Sequence, residues 1–276
     1  MSGADLLAGP RADYARRMVA KLGLRDERLE AAFAAVPREA FVGPPPWALI
    51  REGDLSRNDG ETDPAKLYHD VLVPLDPARF VNNGSPSLHA RMLQHLGVRS
   101  GERALHLGAG TGYYSALLAE LVGPGGHVEA VEYDGALARS AARNLQPWKN
   151  VTVRQGDAAS CPDAPVSRIY VNFGVTEPSE PWFRHLADGG TLEFPLCVRG
   201  RHGREHAGSG AVLAVTRQGA AYGVRLVSGD DQQRIRLGAA FDRGGVEFVR
   251  SLRLGETSPE RCWFWSPQWS LSYDEP

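Results

Sequence analysis

The residues with the clearest chemical potential are Leu105-His106-Leu107-Gly108-Ala109-Gly110-Thr111-Gly112, an apolar strand pattern running into a GxGxG turn and then a helical pattern from Tyr113. Glycines suit such a turn because a Cβ would hold a ligand off the backbone, and the helix that follows opens with free amide donors. The third glycine comes one residue earlier than in the GxGxxG of dinucleotide-binding turns, which points away from a hydride-transfer cofactor. Glu132, followed by Tyr133, ends the next apolar run, where a carboxylate can accept from both ribose hydroxyls. Gly156-Asp157-Ala158 follows a third run, and an aspartate there can accept from an adenine amino group. Asn172, past the run Arg168 to Val171, is assigned to the same site. Three sites in register, each just past a strand's C-terminal end, fit the crevice of an open α/β sheet. The chemistry is binding of a nucleoside; the competing reading is a set of tight turns.

A second constellation is Asn83, Gly84, Ser85, Ser87 and His89, just before and within a helical pattern at Leu88 to Leu96. Short polar side chains, the Gly84 amide and a helix N-terminus can together orient a carboxylate. The same residues also read as a simple helix start, with Ser85 as N-cap and Pro86 at the first helical position, and the two readings are compatible. No HExxH occurs, and His202 with His206 falls in a Gly-rich stretch, so no metal is expected. His106, inside a strand pattern, reads as a buried or cofactor-adjacent residue rather than a catalytic acid.

These residues need elements to position them. Tyr14, Met18, Val19 and Leu22, then Leu29, Phe33 and Val36, recur at helical spacing, which predicts two leading helices ending at Pro37. The polar, Pro-rich passage from Gly43 to Pro64 has turn chemistry and predicts a surface loop or lid. From Gly101 strands alternate with helices, the mark of a parallel sheet with crossovers. Further strands are expected at Arg168 to Val171 and Thr191 to Pro195, and an antiparallel hairpin at Ala211 to Thr216 and Ala221 to Val227. The tail from Ala239 reads as a helix and an aromatic hairpin containing Trp263, Phe264, Trp265 and Trp269. The expected organisation is helices and lid at 1–80, a cofactor-binding domain at 81–235 and a small extension at 236–276.

The bulk composition narrows the function classes. The 276 residues are 42% hydrophobic and 23% charged, which suits one main packed domain. A net charge of −2 supplies no field for nucleic acid or an anionic membrane, so neither is an expected partner. Three cysteines far apart, without CxxC spacing, suit reducing cytoplasm; Met1 to Pro10 holds no long apolar run, and secretion is not expected.

The segment Gly101 to Asp157 resembles the S-adenosylmethionine site of protein-L-isoaspartate O-methyltransferases, especially Gly110-Thr111-Gly112-Tyr113-Tyr114 with Ala116-Leu117-Leu118-Ala119 behind it. Leu24 to Arg28, Val36 to Val42 and Asp188 to Leu192 with Pro195-Leu196 are similar to other parts of that family, and about two-thirds of the chain is covered. The resemblance implies a doubly wound, Rossmann-like class I methyltransferase sheet. It also implies S-adenosylmethionine as cofactor, held by Gly84, His106, Gly108, Ala109, Gly110, Thr111, Gly112, Tyr113, Glu132, Tyr133, Asp157, Ala158 and Asn172. Asn83, Ser85, Ser87 and His89 are the implied acceptor-site residues.

Several positions depart from that pattern. Asn82-Asn83-Gly84-Ser85-Pro86 stands where the family has Thr-Ile-Ser-x-Pro, so Gly84 replaces a serine that helps form the reaction site; His106 and Ser167 stand at usually acidic positions, and Asp157-Ala158-Ala159 lacks Asp-Gly. With the added passages at 43–64 and after 239, the chain resembles actinobacterial relatives that methylate an aspartate side chain in ribosomally made peptides, where the ester can collapse to an aspartimide. The expected partner is therefore a peptide or protein bearing an aspartate or isoaspartate residue. Repair of isoaspartyl residues, a catalytically silent cofactor-binding module and methylation of a small molecule or RNA are the competing readings.

Overall fold

In the computed structural model, residues 5–21, 23, 26–51, 57–79, 81–175, 178–198 and 208–227 are described, with the short stretches 235–237, 264–265 and 270–271. In chain order the elements begin with α1 (Ala8–Lys21), α2 (Glu27–Ala35), β1 (Trp47–Arg51), β2 (Arg57–Glu61), β3 (Val71–Leu72), β4 (Pro74–Asp76), β5 (Val81–Asn82) and α3 (Pro86–Leu96). Next come β6 (Arg103–Leu107), α4 (Tyr113–Val122), β7 (His127–Glu132), α5 (Gly135–Asn144), β8 (Val151–Gln155), β9 (Val166–Val171) and α6 (Glu180–Arg184). The chain continues through β10 (Leu186–Val198), β11 (Gly208–Gln218), β12 (Ala221–Leu226) and β13 (Ile235–Leu237) to β14 (Phe264–Trp265) and β15 (Ser270–Leu271). They form two compact units, one of residues 1–102 and 109–156 and the other of residues 103–108 and 157–276.

In the first unit the leading helices form where the apolar spacing placed them. Tyr14, Ala15, Met18 and Val19 are buried along α1, and Leu29, Ala32 and Phe33 along α2. Tyr14 and Phe33 meet edge to face at 5.7 Å. Asp26 caps α2 by accepting from the amides of Arg28 and Leu29. β7 and β8 run parallel, and α5 starts at Asp134, whose side chain accepts from the amides of Ala136 and Leu137.

The described residues between Gly43 and Pro64 hold more regular structure than their composition suggests. β1 pairs antiparallel with β2 and with β3, giving a three-stranded sheet in place of the expected loop. Trp47 and Leu49 alternate inward and share a core with Val42, Leu67, Val71 and Val73. Burying two large side chains at about 1.5–3 kcal/mol each outweighs the polar composition of β2.

In the second unit the strand order is β12-β11-β10-β9-β6, with β6, β9 and β10 parallel and β10, β11 and β12 antiparallel. The expected hairpin of β11 and β12 is present. In the tail, β14 pairs with β15, while the helix expected after Ala239 lies outside the described residues.

One row across this sheet is polar: His106 aligns with Tyr170, and Tyr170 with Glu193. His106 and Glu193 are fully buried. Desolvation lowers the His106 pKa to about 3, so its imidazole is neutral. Burial pushes the Glu193 carboxyl well above the usual range, with Arg225 opposing, and neither carboxyl oxygen has a hydrogen-bond partner among the described residues. The folded state thus keeps a proton that the unfolded chain releases, so Glu193 removes stability as pH rises above the ordinary carboxylate range. Glu193→Gln is expected to raise the unfolding free energy by an amount that grows as pH rises above the ordinary carboxylate range of about 4. Chemical denaturation at rising pH is the check, and a gain that does not vary with pH would contradict it.

Candidate functional site

The turn after β6 is shaped by three glycines at positive φ, Gly108 at 78°, Gly110 at 57° and Gly112 at 98°. They are glycine for different reasons. A Cβ on Gly108 would lie 2.6 Å from the Phe173 ring, and one on Gly112 would lie 2.7 Å from Leu145, so both positions are fixed by packing. A Cβ on Gly110 would make only an ordinary contact with Leu75, at 3.8 Å, so packing does not demand glycine there.

Glu132, at the end of β7, is 8% exposed and tied to that turn. One carboxylate oxygen accepts from the Gly110 amide at 2.7 Å and the other from the Asp134 amide at 2.9 Å. Each oxygen keeps a second lone pair, so the group is aimed and still able to accept from two neighbouring hydroxyls. The turn is held from further off as well: the Thr111 hydroxyl donates to the Phe41 carbonyl at 2.6 Å, and Asn144 donates to the Thr111 carbonyl at 3.0 Å. The Ala109 amide donates to Val131. The Tyr133 ring, beside Glu132, is 76% exposed, whereas the Tyr113 ring is buried against Phe41 at 5.6 Å and belongs to the core.

In the second unit Asp157 is exposed and its side chain accepts from the Ala159 amide at 2.9 Å, opening a short 3-10 turn. The Ala158 carbonyl accepts from the Trp182 indole, and the half-buried Asn172 donates its amide to Leu107. His106 sits inside the sheet with its ring 5.2 Å from that of Tyr170.

The residues expected at the acceptor site, Asn83, Ser85, Ser87 and His89, are all in the first unit, around the start of α3. Ser85 occupies the N-cap position and Pro86 the first turn, as expected, but the Ser85 side chain makes no capping bond. Asp70 caps instead: its carboxylate accepts from the Ser87 amide at 3.0 Å and from the Ser85 hydroxyl at 3.4 Å, and the two serine hydroxyls lie 3.3 Å apart. Asn83 accepts from the Val73 amide through its side-chain oxygen at 2.8 Å, while its side-chain nitrogen is buried without a hydrogen-bond partner among the described residues. The Gly84 amide donates to Asn82, and the His89 ring stacks on Tyr114 at 3.7 Å.

Two residues that the sequence reading left out organise this region. Asp70 is one. The other is Arg38, fully buried, whose guanidinium donates to the carbonyls of Leu67, His69 and Val71 and so fixes the segment that carries Asp70. A signal for Asp70 was present in an acidic residue directly before the apolar run Val71-Leu72-Val73. Asp70→Ala is expected to cost about 1–2 kcal/mol of stability by uncapping α3, with Asp70→Asn recovering part of it through its remaining carbonyl oxygen. Urea unfolding of the two variants is the check; equal losses would mean that the charge, not the acceptor atom, carries the cap.

Residues 57–206 match the family model described as Protein-L-isoaspartate(D-aspartate) O-methyltransferase. A protein-L-isoaspartate O-methyltransferase of Aeropyrum pernix is 35% identical over 198 residues, covering 68% of this chain and 69% of that one. One from Methanothermobacter thermautotrophicus is 30% identical over 192 residues, covering 67% and 80%. Among solved structures, a protein-L-isoaspartate O-methyltransferase superposes with a TM-score of 0.65 at 23% identity, over 84% of this chain and 66% of that one. A Plasmodium falciparum protein crystallised with S-adenosyl-L-homocysteine gives 0.58 at 15%, over 84% and 98%. The fold is that of class I methyltransferases, mixed α/β with a central, mostly parallel sheet and N-terminal helices. With a matched segment longer than half its length and relatives of this identity, the chain belongs to the protein-L-isoaspartate(D-aspartate) O-methyltransferase family.

Proposed function

We propose that the chain transfers the methyl group of S-adenosylmethionine to the side-chain carboxylate of an aspartate in a peptide or protein, tailoring a ribosomally made peptide whose ester can close to an aspartimide. The observation that carries the cofactor assignment is a Glu132 carboxylate fixed by two backbone amides beside Gly110, where packing does not demand a glycine. Glu132 would accept from the ribose hydroxyls, with the exposed Tyr133 ring beside it. When bound, S-adenosylmethionine would supply a sulfonium-activated methyl group for transfer to a carboxylate oxygen, with the thioether as leaving group.

No general base is required, because a carboxylate with a reference pKa of about 4 is already ionised at neutral pH. What the protein contributes is alignment and exclusion of water, and orientation alone can supply about 7–11 kcal/mol. The start of α3 is chemically suited to the acceptor, since its amide and serine hydroxyl already hold one carboxylate, that of Asp70. The spare side-chain N–H of Asn83 and the Ser87 hydroxyl are the groups assigned to the acceptor, with His89 and Ser85 supporting the turn.

A second reading, repair of L-isoaspartyl residues, is favoured by the names of the relatives that match along two-thirds of the chain. Mass spectrometry of matched L-aspartyl and L-isoaspartyl peptides incubated with enzyme and S-adenosylmethionine separates the two. The proposal expects a one-methyl gain, or a later loss of water, on a structured peptide bearing L-aspartate. Reaction of isoaspartyl peptides alone would establish repair instead.

A further inference from the structure

Gly84 and His89 are joined more tightly than their places in the chain suggest. A Cβ on Gly84 would lie 2.1 Å from His89 Nε2 and 2.7 Å from its Cδ2, so the imidazole fills the space that a side chain at residue 84 would need. The ring is stacked on Tyr114 at 3.7 Å with an interplanar angle of 23°, and His89 is 3% exposed. Its own amide is fixed to the Ser85 carbonyl at 3.0 Å. Gly84 has φ of 76°, and its amide is held by Asn82, so the turn cannot yield easily from its side either.

We infer that His89 is a positioning residue whose imidazole takes the place of a side chain at residue 84, making the two a single specificity-determining pair in the acceptor turn. This rests on the proposed function. The turn therefore presents bare backbone, with a buried imidazole directly behind it, where a larger residue would present a side-chain group. Which carboxylate-bearing backbone is admitted, α-linked aspartyl or isoaspartyl, follows from that shape. Restoring a side chain at 84 is incompatible with the ring, and removing the ring gives the side chain room.

The test is a double-mutant cycle of wild type, Gly84→Ser, His89→Ala and the combined variant, assayed on aspartyl and isoaspartyl peptides. Melting temperature and S-adenosylmethionine affinity are measured on all four proteins. Gly84→Ser is expected to lower kcat/KM on the preferred peptide by about 100-fold, and adding His89→Ala to recover at least about tenfold of that loss. The ratio of aspartyl to isoaspartyl activity is expected to change by about tenfold in the combined variant. Melting temperatures should show the same relief, and Gly84→Ala replaces the serine variant if that one does not fold. Additive effects in the melting temperatures, or an unchanged peptide ratio in the His89→Ala and combined variants, would overturn the pairing while leaving the methyltransferase reading intact. A wild-type enzyme that binds the cofactor and methylates neither peptide would overturn the proposed function, and the specificity assignment with it.

Discussion

Arg38→Met is expected to lower the unfolding free energy by about 3–5 kcal/mol, from the loss of charge-assisted hydrogen bonds to buried backbone carbonyls. The guanidinium is fully buried and meets three backbone carbonyls, of Leu67, His69 and Val71. Methionine fills much of the volume but takes the guanidinium from the Leu67 and Val71 carbonyls, at about 1–3 kcal/mol for each group that water cannot reach, while the His69 carbonyl keeps the Val71 amide. Arg38→Lys does not rescue, because one flexible ammonium cannot reproduce a planar fork that reaches three acceptors. Urea unfolding measures the loss through the midpoint. A cost below about 1 kcal/mol would mean that the 67–71 segment is held by other contacts.

Glu132→Ala is expected to weaken S-adenosylmethionine binding by about 100-fold or more, on the basis of two charge-assisted hydrogen bonds to the ribose at about 1.5–3 kcal/mol each. Glu132→Gln is not a mild change here. Both carboxylate oxygens accept from backbone amides, Gly110 on one side and Asp134 on the other, so an amide NH₂ must face one of those donors. The glutamine variant should therefore lose most of the affinity and part of the stability. Titration calorimetry decides the matter, and a loss of less than about threefold for Glu132→Ala would remove Glu132 from the ribose site.

The glycine turn, Glu132 and the alternation from β6 to β9 were legible because each is a local signal: a spacing, a strand end, a period. The start of α3 was legible for the same reason, with Ser85 and Pro86 at their expected positions. What supports it was not. Asp70 caps α3 from 17 residues before Ser87, and Arg38 reaches carbonyls 29 to 33 residues onward, distances at which no periodicity carries information. The strands β1 and β2 were hidden for a different reason, since the short inward alternation of Trp47 and Leu49 is surrounded by turn-forming residues. The three glycines were read as one device, whereas packing against Phe173 and Leu145 accounts for two of them.

The clamp on the glycine turn bears on the thermodynamics of cofactor capture. Thr111 is tied to Phe41 through its hydroxyl and to Asn144 through its carbonyl, partners 70 and 33 residues away in the chain. The turn's conformational entropy is thus surrendered when the chain folds, not when the nucleoside arrives, and little ordering remains to oppose binding. Lesions in the segment around Phe41, which carries none of the residues assigned to the nucleoside, should accordingly appear as a more unfavourable binding entropy.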